Sequence, residues 1–276
     1  MNFLPDILVR YGDDLLDGFV ITLQLVFISV TIGIVLGSVT CAARMSKNRL
    51  FSSIAWFYIA LFRGTPLLAQ LYLIYYGAGQ FSGFWRDVGL WGILRDPFNC
   101  ALIAFTLNTA AYQAEVFRGA VQAIPKGQWE GAAALGIPRP IAFMRVIVPQ
   151  AALLALRPFG NEIVLMVKGS AVASVVTVYD LLGETRLAFS DTFRFDVYFY
   201  AAALYLVLVE TLRRVWDVLE RVLTRHLDTN VKEAAAKARP AGREEPRLSR
   251  TLQRVDDGFR LAYGRIVVPA VDVAGD

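Results

Sequence analysis

Gln128-Trp129-Glu130-Gly131-Ala132-Ala133-Ala134-Leu135-Gly136, closed behind by Pro149, is a short run of small residues and good helix formers set between strongly apolar segments. Arg118 and Lys126 precede it and Arg139 and Arg145 follow, against the single acid Glu130. The pattern predicts a helix over 128–135, with Gly127 as a tolerable N-cap, Gly136 at the C′ position and Pro138 barring continuation. Trp129, Ala132, Ala133 and Gly136 fall at i, i+3, i+4 and i+7, one face that is flat apart from its aromatic anchor. A loop between apolar spans needs no such helix unless something docks on it. The face suits a groove on a partner protein, and it equally suits a helix lying on the bilayer with Trp129 among the headgroups. The residues alone leave both readings open.

Outward from this helix, the composition points to a membrane. Of 276 residues, 56% are hydrophobic and the mean hydropathy is +0.47, whereas soluble domains average about 45–50% apolar. The net charge of +4 and the isoelectric point near 9.1 are what Lys/Arg-rich cytoplasmic loops produce, so no nucleic-acid partner is expected. Two cysteines, Cys41 and Cys100, fall at opposite membrane faces, and with the lone His226 they form no metal-ligand cluster and no disulfide. The first 18 residues carry Asp6, Asp13, Asp14 and Asp17 against Arg10, which is not the basic start of a secretory signal.

Five spans are expected. Residues 19–43 form the first, with Ser29, Gly33 and Gly37 at four-residue spacing as a packing stripe. Residues 54–76 form the second, interrupted by Arg63-Gly64-Thr65-Pro66, and 98–117 the third, carrying Asn108, Gln113 and Glu115. Residues 150–183 are too long for one straight span and are read as one with a bent entry, broken by Pro158, Gly160, Lys168 and Gly169. The last covers 197 to about 212. Basic residues cluster after spans one, three and five, which places the N-terminus outside and the C-terminus inside. The organisation is thus an all-α integral membrane protein: an outer segment 1–18, a transmembrane domain 19–223 with a cytoplasmic loop 118–149, and a cytoplasmic tail 224–276. The tail from Thr229 reads as largely disordered, with a basic amphipathic helix over 248–268 as the alternative.

The loop resembles the cytoplasmic signature of membrane subunits of ATP-binding-cassette importers: Glu-Ala-Ala, three residues, Gly, nine residues, then Ile-x-Leu-Pro. Here it reads Glu130-Gly131-Ala132, Gly136, then Val146-Ile147-Val148-Pro149, departing only at Gly131, Val146 and Val148. The chain also looks like the polar-amino-acid branch at 62–68 (Phe-Arg-Gly-Thr-Pro-Leu-Leu) and at 112–119 leading into 123–128. At Gly160-Asn161-Glu162 and Val167-Lys168-Gly169-Ser170 it looks most like the histidine/octopine-type subunits. The resemblance covers roughly 18–223. It implies a type I permease fold in the bacterial inner (plasma) membrane, pairing with a second permease subunit that is more a paralogue than a self-copy. It further implies docking of Gln128, Trp129, Glu130, Gly131, Ala132, Ala133, Gly136 and Pro149 on a cytoplasmic ATPase dimer, and delivery of substrate by a periplasmic solute-binding protein. The chain has no Gly-x-x-x-x-Gly-Lys-[Ser/Thr] phosphate loop. ATP and Mg are therefore expected on the partner, no cofactor on this chain, and no enzymatic activity of its own.

Ionisable groups inside a span cost roughly 2.5–3.5 kcal/mol or more, which makes them functional candidates. Glu162 beside Asn161, ahead of Lys168 and Ser170, is read as a substrate contact for the cationic end of an amino acid, from an unwound segment lining a cavity. A structural pair of Glu162 with Lys168 or Arg157 is the other reading. Arg63, Thr65, Pro66 and Glu115 are read as gating or structural: Arg63 as a gate, a backbone cap or a snorkelling side chain, Glu115 as the partner of Arg118. The expected function is import of polar, basic amino acids or opine-like derivatives, with another small polar solute as the alternative. An intramembrane enzyme lacks the needed His, paired Asp or Ser/His, and a channel or scaffold needs no docking helix.

Overall fold

A computed structural model describes the backbone of residues 6–238 and the side chains of residues 7–225. The described elements are helical: α1 (Asp6–Arg44), α2 (Arg49–Gly64), α3 (Leu67–Gln80), α4 (Ser82–Asp87), α5 (Trp91–Leu94), α6 (Pro97–Gln122), α7 (Lys126–Ala134), α8 (Arg139–Ala142), α9 (Val148–Ser170), α10 (Leu181–Thr192) and α11 (Asp196–Ala238). One compact unit ends at Thr224 and a second begins at Arg225. The expectation of a disordered tail over 229–276 falls, from residue 239 on, outside the described residues; up to Ala238 the backbone continues α11.

α1 starts well before the expected span. At 39 residues it is about 58 Å long at 1.5 Å per residue, more than a bilayer core needs. Four of its hydroxyls are returned to its own backbone: Thr22 donates to Gly18 O (2.9 Å), Ser29 to Val26 O (3.0 Å), Thr31 to Phe27 O (2.7 Å) and Ser38 to Ile34 O (2.7 Å). Polar side chains so satisfied are tolerated in hydrocarbon. Phe27, Val35 and Val39 remain exposed on its outer side, as lipid-facing residues do.

α6 is the centre. It is capped by Asp96, which accepts from Phe98 N (3.0 Å), with Pro97 in its first turn. α1 makes its most extensive packing against it. The reason is the Ser29/Gly33/Gly37 stripe: a Cβ on Gly33 would stand 2.7 Å from Thr109 Cγ2, and one on Gly37 would stand 3.0 Å from Ala110 O. Behind this seam Leu25, Val26, Phe105, Phe159, Met166 and Val167 form the main core.

The second apolar segment is a broken pair, α2 and α3 bent by 104°. Pro66 pushes Thr65 into extended backbone (φ −117°, ψ 149°) and so ends α2. Among the described residues, two stretches are long and apolar enough by length and composition to cross a membrane, Ile7–Arg44 and Arg139–Val176, and the bent pair makes up to three. α6 falls short of that measure because Asn108, Gln113, Glu115 and Arg118 dilute it, although its middle is buried among protein rather than lipid.

The break in the fourth expected span lies elsewhere than anticipated. α9 runs unbroken through Pro158, Gly160 and Lys168 to Ser170. Backbone irregularity comes only afterwards, in a 3-10 turn Ala171–Val176 ending on Thr177 at φ +62°. Packing holds the proline-containing stretch. Trp216 Nε1 of α11 donates to Leu156 O at 2.9 Å, and its ring sits so close over Gly160 that any Cβ there would collide with it.

Gly33→Leu is expected to destabilise the protein by about 1–3 kcal/mol through overpacking of the α1/α6 seam. Gly12→Ala, in the same helix with nothing within 4 Å, is expected to be neutral or stabilising. Melting temperatures of the purified variants check the contrast, and a Gly33→Leu protein as stable as Gly12→Ala would refute the seam.

Candidate functional site: the α7 loop and the buried polar residues of α6 and α9

α7 begins at Lys126, with Pro125 as its N-cap, so Gly127 lies inside the helix rather than capping it. Its end is a full Schellman motif. Gly136 N donates to Ala133 O and Ile137 N to Ala132 O, both at 3.0 Å, with Gly136 at φ +67°. That conformation is why glycine occupies the position.

The expected docking face is divided by the tertiary packing. Trp129 faces inward and stacks on Phe143, with ring centroids 6.3 Å apart and planes 20° apart. Ala132 is buried. Trp129, Phe143 and Val146 pack on Ala120, Ile124, Ile147, Ala151 and Ala155, the facing ends of α6 and α9. The outer surface is instead Gln128, Glu130, Gly131, Ala133 and Gly136, with Leu135 at 80% exposure as its apolar knob. Ala133 and Gly136 keep their expected exposure; Trp129 and Ala132 clamp the loop from beneath. Pro149 stands in the first turn of α9, exposed, behind a π-helical turn Phe143–Ile147. Helical periodicity marks the two faces alike, so Leu135 stood out only as one of several apolar residues in the sequence.

At the α2/α3 break the freed carbonyls find donors. Gln70 Nε2 lies 2.8 Å from Phe62 O, 3.1 Å from Thr65 O and 2.8 Å from Thr65 Oγ1. Asn108 Nδ2 donates to Phe62 O (3.1 Å) and to Gln70 Oε1 (2.9 Å). Thr65 also donates to Leu61 O at 2.7 Å. Thr65 and Pro66 therefore shape a bend locked by Gln70, a residue the sequence signalled only as a polar side chain one turn past the proline. Arg63 points away from this knot, its guanidinium 5.1 Å from the Tyr112 ring centroid and 3.8 Å from Glu115. Glu115 itself is held by Arg118 in a two-point pair of 2.9 and 2.6 Å.

Glu162 is buried on an intact helix, not on an unwound one. Neither expected counter-charge pairs with it: Lys168 is exposed, and Arg157 pairs with Glu220 at 2.8 Å. Its carboxylate accepts a long 3.5 Å bond from Thr109. Thr109 in turn accepts from Gln113 Nε2 at 3.1 Å, and Nε2 also reaches Val30 O at 3.4 Å. Gln113 Oε1 is buried without a partner. Asn161 is exposed on another side of the helix, and Ser170 donates to Val167 O at 2.8 Å. The structure thus brings Glu162 together with Thr109 and Gln113 and not with Asn161, Lys168 or Ser170. Thr109 lacked a sequence signal because a threonine in a helix interior normally bonds its own backbone. Among the described residues no group of acids, histidines and cysteines is arranged to hold a metal, and Cys41 and Cys100 are free.

Residues 29–225 match the model of the binding-protein-dependent transport system inner membrane component. The chain belongs to that family. It is 40% identical over 218 residues to the nopaline transport system permease protein NocM of Agrobacterium fabrum, covering 79% of this chain and 90% of that protein. It is 41% identical to the octopine transport system permease protein OccM of Rhizobium meliloti, covering 80% and 90%. The arginine ABC transporter permease protein ArtM of Haemophilus influenzae is 38% identical, with 72% and 87% covered. Among solved structures, an amino acid ABC transporter matches with a TM-score of 0.71 and 36% identity, over 80% of this chain and 99% of that one. The methionine ABC transporter MetNI matches at 0.60 and 20%, over 81% and 99%, a likeness of fold alone. The protein is a permease subunit with the type I fold of ABC importers.

Trp129→Ala is expected to cost about 2 kcal/mol, a half-buried aromatic losing its stack and its packing. Leu135→Ala is expected to leave stability unchanged within about 0.5 kcal/mol. Thermal unfolding of both variants decides; equal melting temperatures would mean that α7 is not clamped through Trp129.

Proposed function

We propose that this permease subunit imports polar, basic amino acids or opine-type derivatives across the bacterial inner membrane, driven by a cytoplasmic ATPase dimer that docks on α7. The supporting observation is a helix fixed from below by Trp129 and Ala132 while Gln128, Glu130, Gly131, Ala133, Gly136 and the bare Leu135 face outward. A nearly smooth surface with one apolar knob fits a cleft, and rigid attachment to α6 and α9 is what transmission of force requires. ATP and Mg belong to the partner; closure of the ATPase dimer displaces α7, and the clamp passes that displacement into the spans. The five spans are α1, the bent α2/α3 pair, α6, α9 and α11, with the N-terminus outside and the C-terminus inside, supported by the basic residues following spans one, three and five. A periplasmic binding protein delivers substrate, and a paralogous second permease subunit completes the pathway.

The substrate class rests on relatives named for nopaline, octopine and arginine transport and on Glu162. A buried carboxylate with one long hydrogen bond and, among the described residues, no paired cation is poised to receive an ammonium or guanidinium group. Arg63 and Glu115 act as a gate between α2 and α6, and Thr65 and Pro66 fix the bend from which Arg63 projects.

Gly136→Asp is expected to insert and fold yet lose uptake, since a charge would block the ATPase cleft. Gly136→Asn, which tolerates the same left-handed backbone, is expected to retain part of it. Normal uptake by Gly136→Asp with the ATPase still co-purifying would sink the docking role. Glu162→Gln is expected to weaken uptake of arginine-type substrates about tenfold or more, a hydrogen bond to a charged group contributing roughly 1.5–3 kcal/mol. Unchanged uptake of several cationic substrates would make Glu162 structural.

A further inference from the structure

Arg44 in the last turn of α1, Arg63 of α2 and Arg118 of α6 converge on a crevice of about 310 Å³, walled also by Trp56, Ile59 and Ala60. Among the described residues its acidic lining is Glu115, so three guanidiniums there meet one carboxylate. Glu115 is committed to Arg118 at 2.6 Å, while Arg63 reaches it only at 3.8 Å. Arg44 gives Nη1 to the Ser52 hydroxyl at 2.9 Å, and its Nη2 and Nε are left for another acceptor. Like charges held this close are self-repelling unless an anion joins them.

We infer that the crevice binds the phosphodiester headgroup of an anionic phospholipid. The wanted chemistry is an oxyanion offering several acceptor oxygens to guanidinium forks. Its source is indicated by the walls. Arg44 closes a membrane span, and Trp56 is 57% exposed beside Arg63. Exposed Ile54, Phe57 and Leu61 continue the same helix as apolar surface along which acyl chains can lie. Basic pockets between helices at the cytoplasmic membrane face take such headgroups, and tryptophan favours that depth. The bound phosphate would brace α1, α2 and α6 at the level of the Arg63–Glu115 contact. The inference rests on the proposed orientation, which puts Arg44 and Arg118 at the cytoplasmic face.

The test is native mass spectrometry of the complex purified from its membrane, delipidated, then titrated with dioleoylphosphatidylglycerol or dioleoylphosphatidylcholine. Preferential retention of phosphatidylglycerol is expected, reduced about fivefold in Arg44→Gln and largely kept in Arg44→Lys, with melting temperatures unchanged. Arg63→Gln, read by the same retention, serves if Arg44→Gln fails to assemble. Equal retention of the two lipids, or equal retention by wild type and the Gln variant, overturns the site. Displacement of the phosphatidylglycerol by millimolar arginine or inorganic phosphate assigns the pocket to a small solute and overturns the lipid. Because retention is read without transport, these failures are distinguishable from failure of the importer reading.

Discussion

The contact on which the rest depends is the close approach of α1 to α6. Gly33 and Gly37 remove the side chains that would separate the two backbones, and Thr109, Ala110 and Gln113 fill the space. In a membrane, helices gain little from hydrophobic exclusion and associate through tight packing and interhelical hydrogen bonds. α6 carries its polar residues into that environment, and several find protein partners that apolar neighbours alone could not supply, although Thr106 Oγ1 and Gln113 Oε1 stay buried without one. Asn108 bonds the broken end of α2, Tyr58 donates to Leu107 O at 2.6 Å, and Gln113 crosses to Val30.

From that centre the two features proposed to carry function are positioned. Trp129 and Phe143 seat α7 on the ends of α6 and α9. Further along the same helices Phe117 stacks on Phe159 (6.0 Å, 16°), and Phe159 meets Trp216 at 5.7 Å. Phe159 lies one turn from Glu162 on α9. A displacement at α7 is thereby presented to α9, the helix that carries the proposed substrate contact, through the packing of Trp129, Phe143 and Val146 on Ala151 and Ala155. Coupling through this packing is a matter of spatial continuity, and double-mutant cycles across it would measure it.

Much of this arrangement was legible from local chemistry. The Ser29/Gly33/Gly37 stripe, the cap at Gly136, the interruption at Arg63–Pro66 and the Glu115–Arg118 pair all depend on residues within a turn or two of one another, where spacing fixes geometry. The errors share the opposite character. Pro158 and Gly160 read as helix breakers, but Trp216, some 60 positions away, covers Gly160 and donates to Leu156 O. Trp129 read as an outward anchor because a helix wheel does not say which side is covered. Thr109, Gln70 and Leu135 escaped notice because nothing in their immediate neighbourhood sets them apart.

The sequence by itself determined that the chain belongs to a membrane, where its long apolar stretches and its capped loop helix fall, and which family signature the loop carries. These follow from composition, hydrophobic run length and backbone preference, which are local and additive. Only the tertiary structure decided which face of α7 is free, where the fourth expected span loses its helix, and that Glu162 is buried against Thr109 with no paired cation among the described residues. Those outcomes turn on which distant surfaces come within van der Waals or hydrogen-bonding reach, a short-range condition that one-dimensional spacing does not encode.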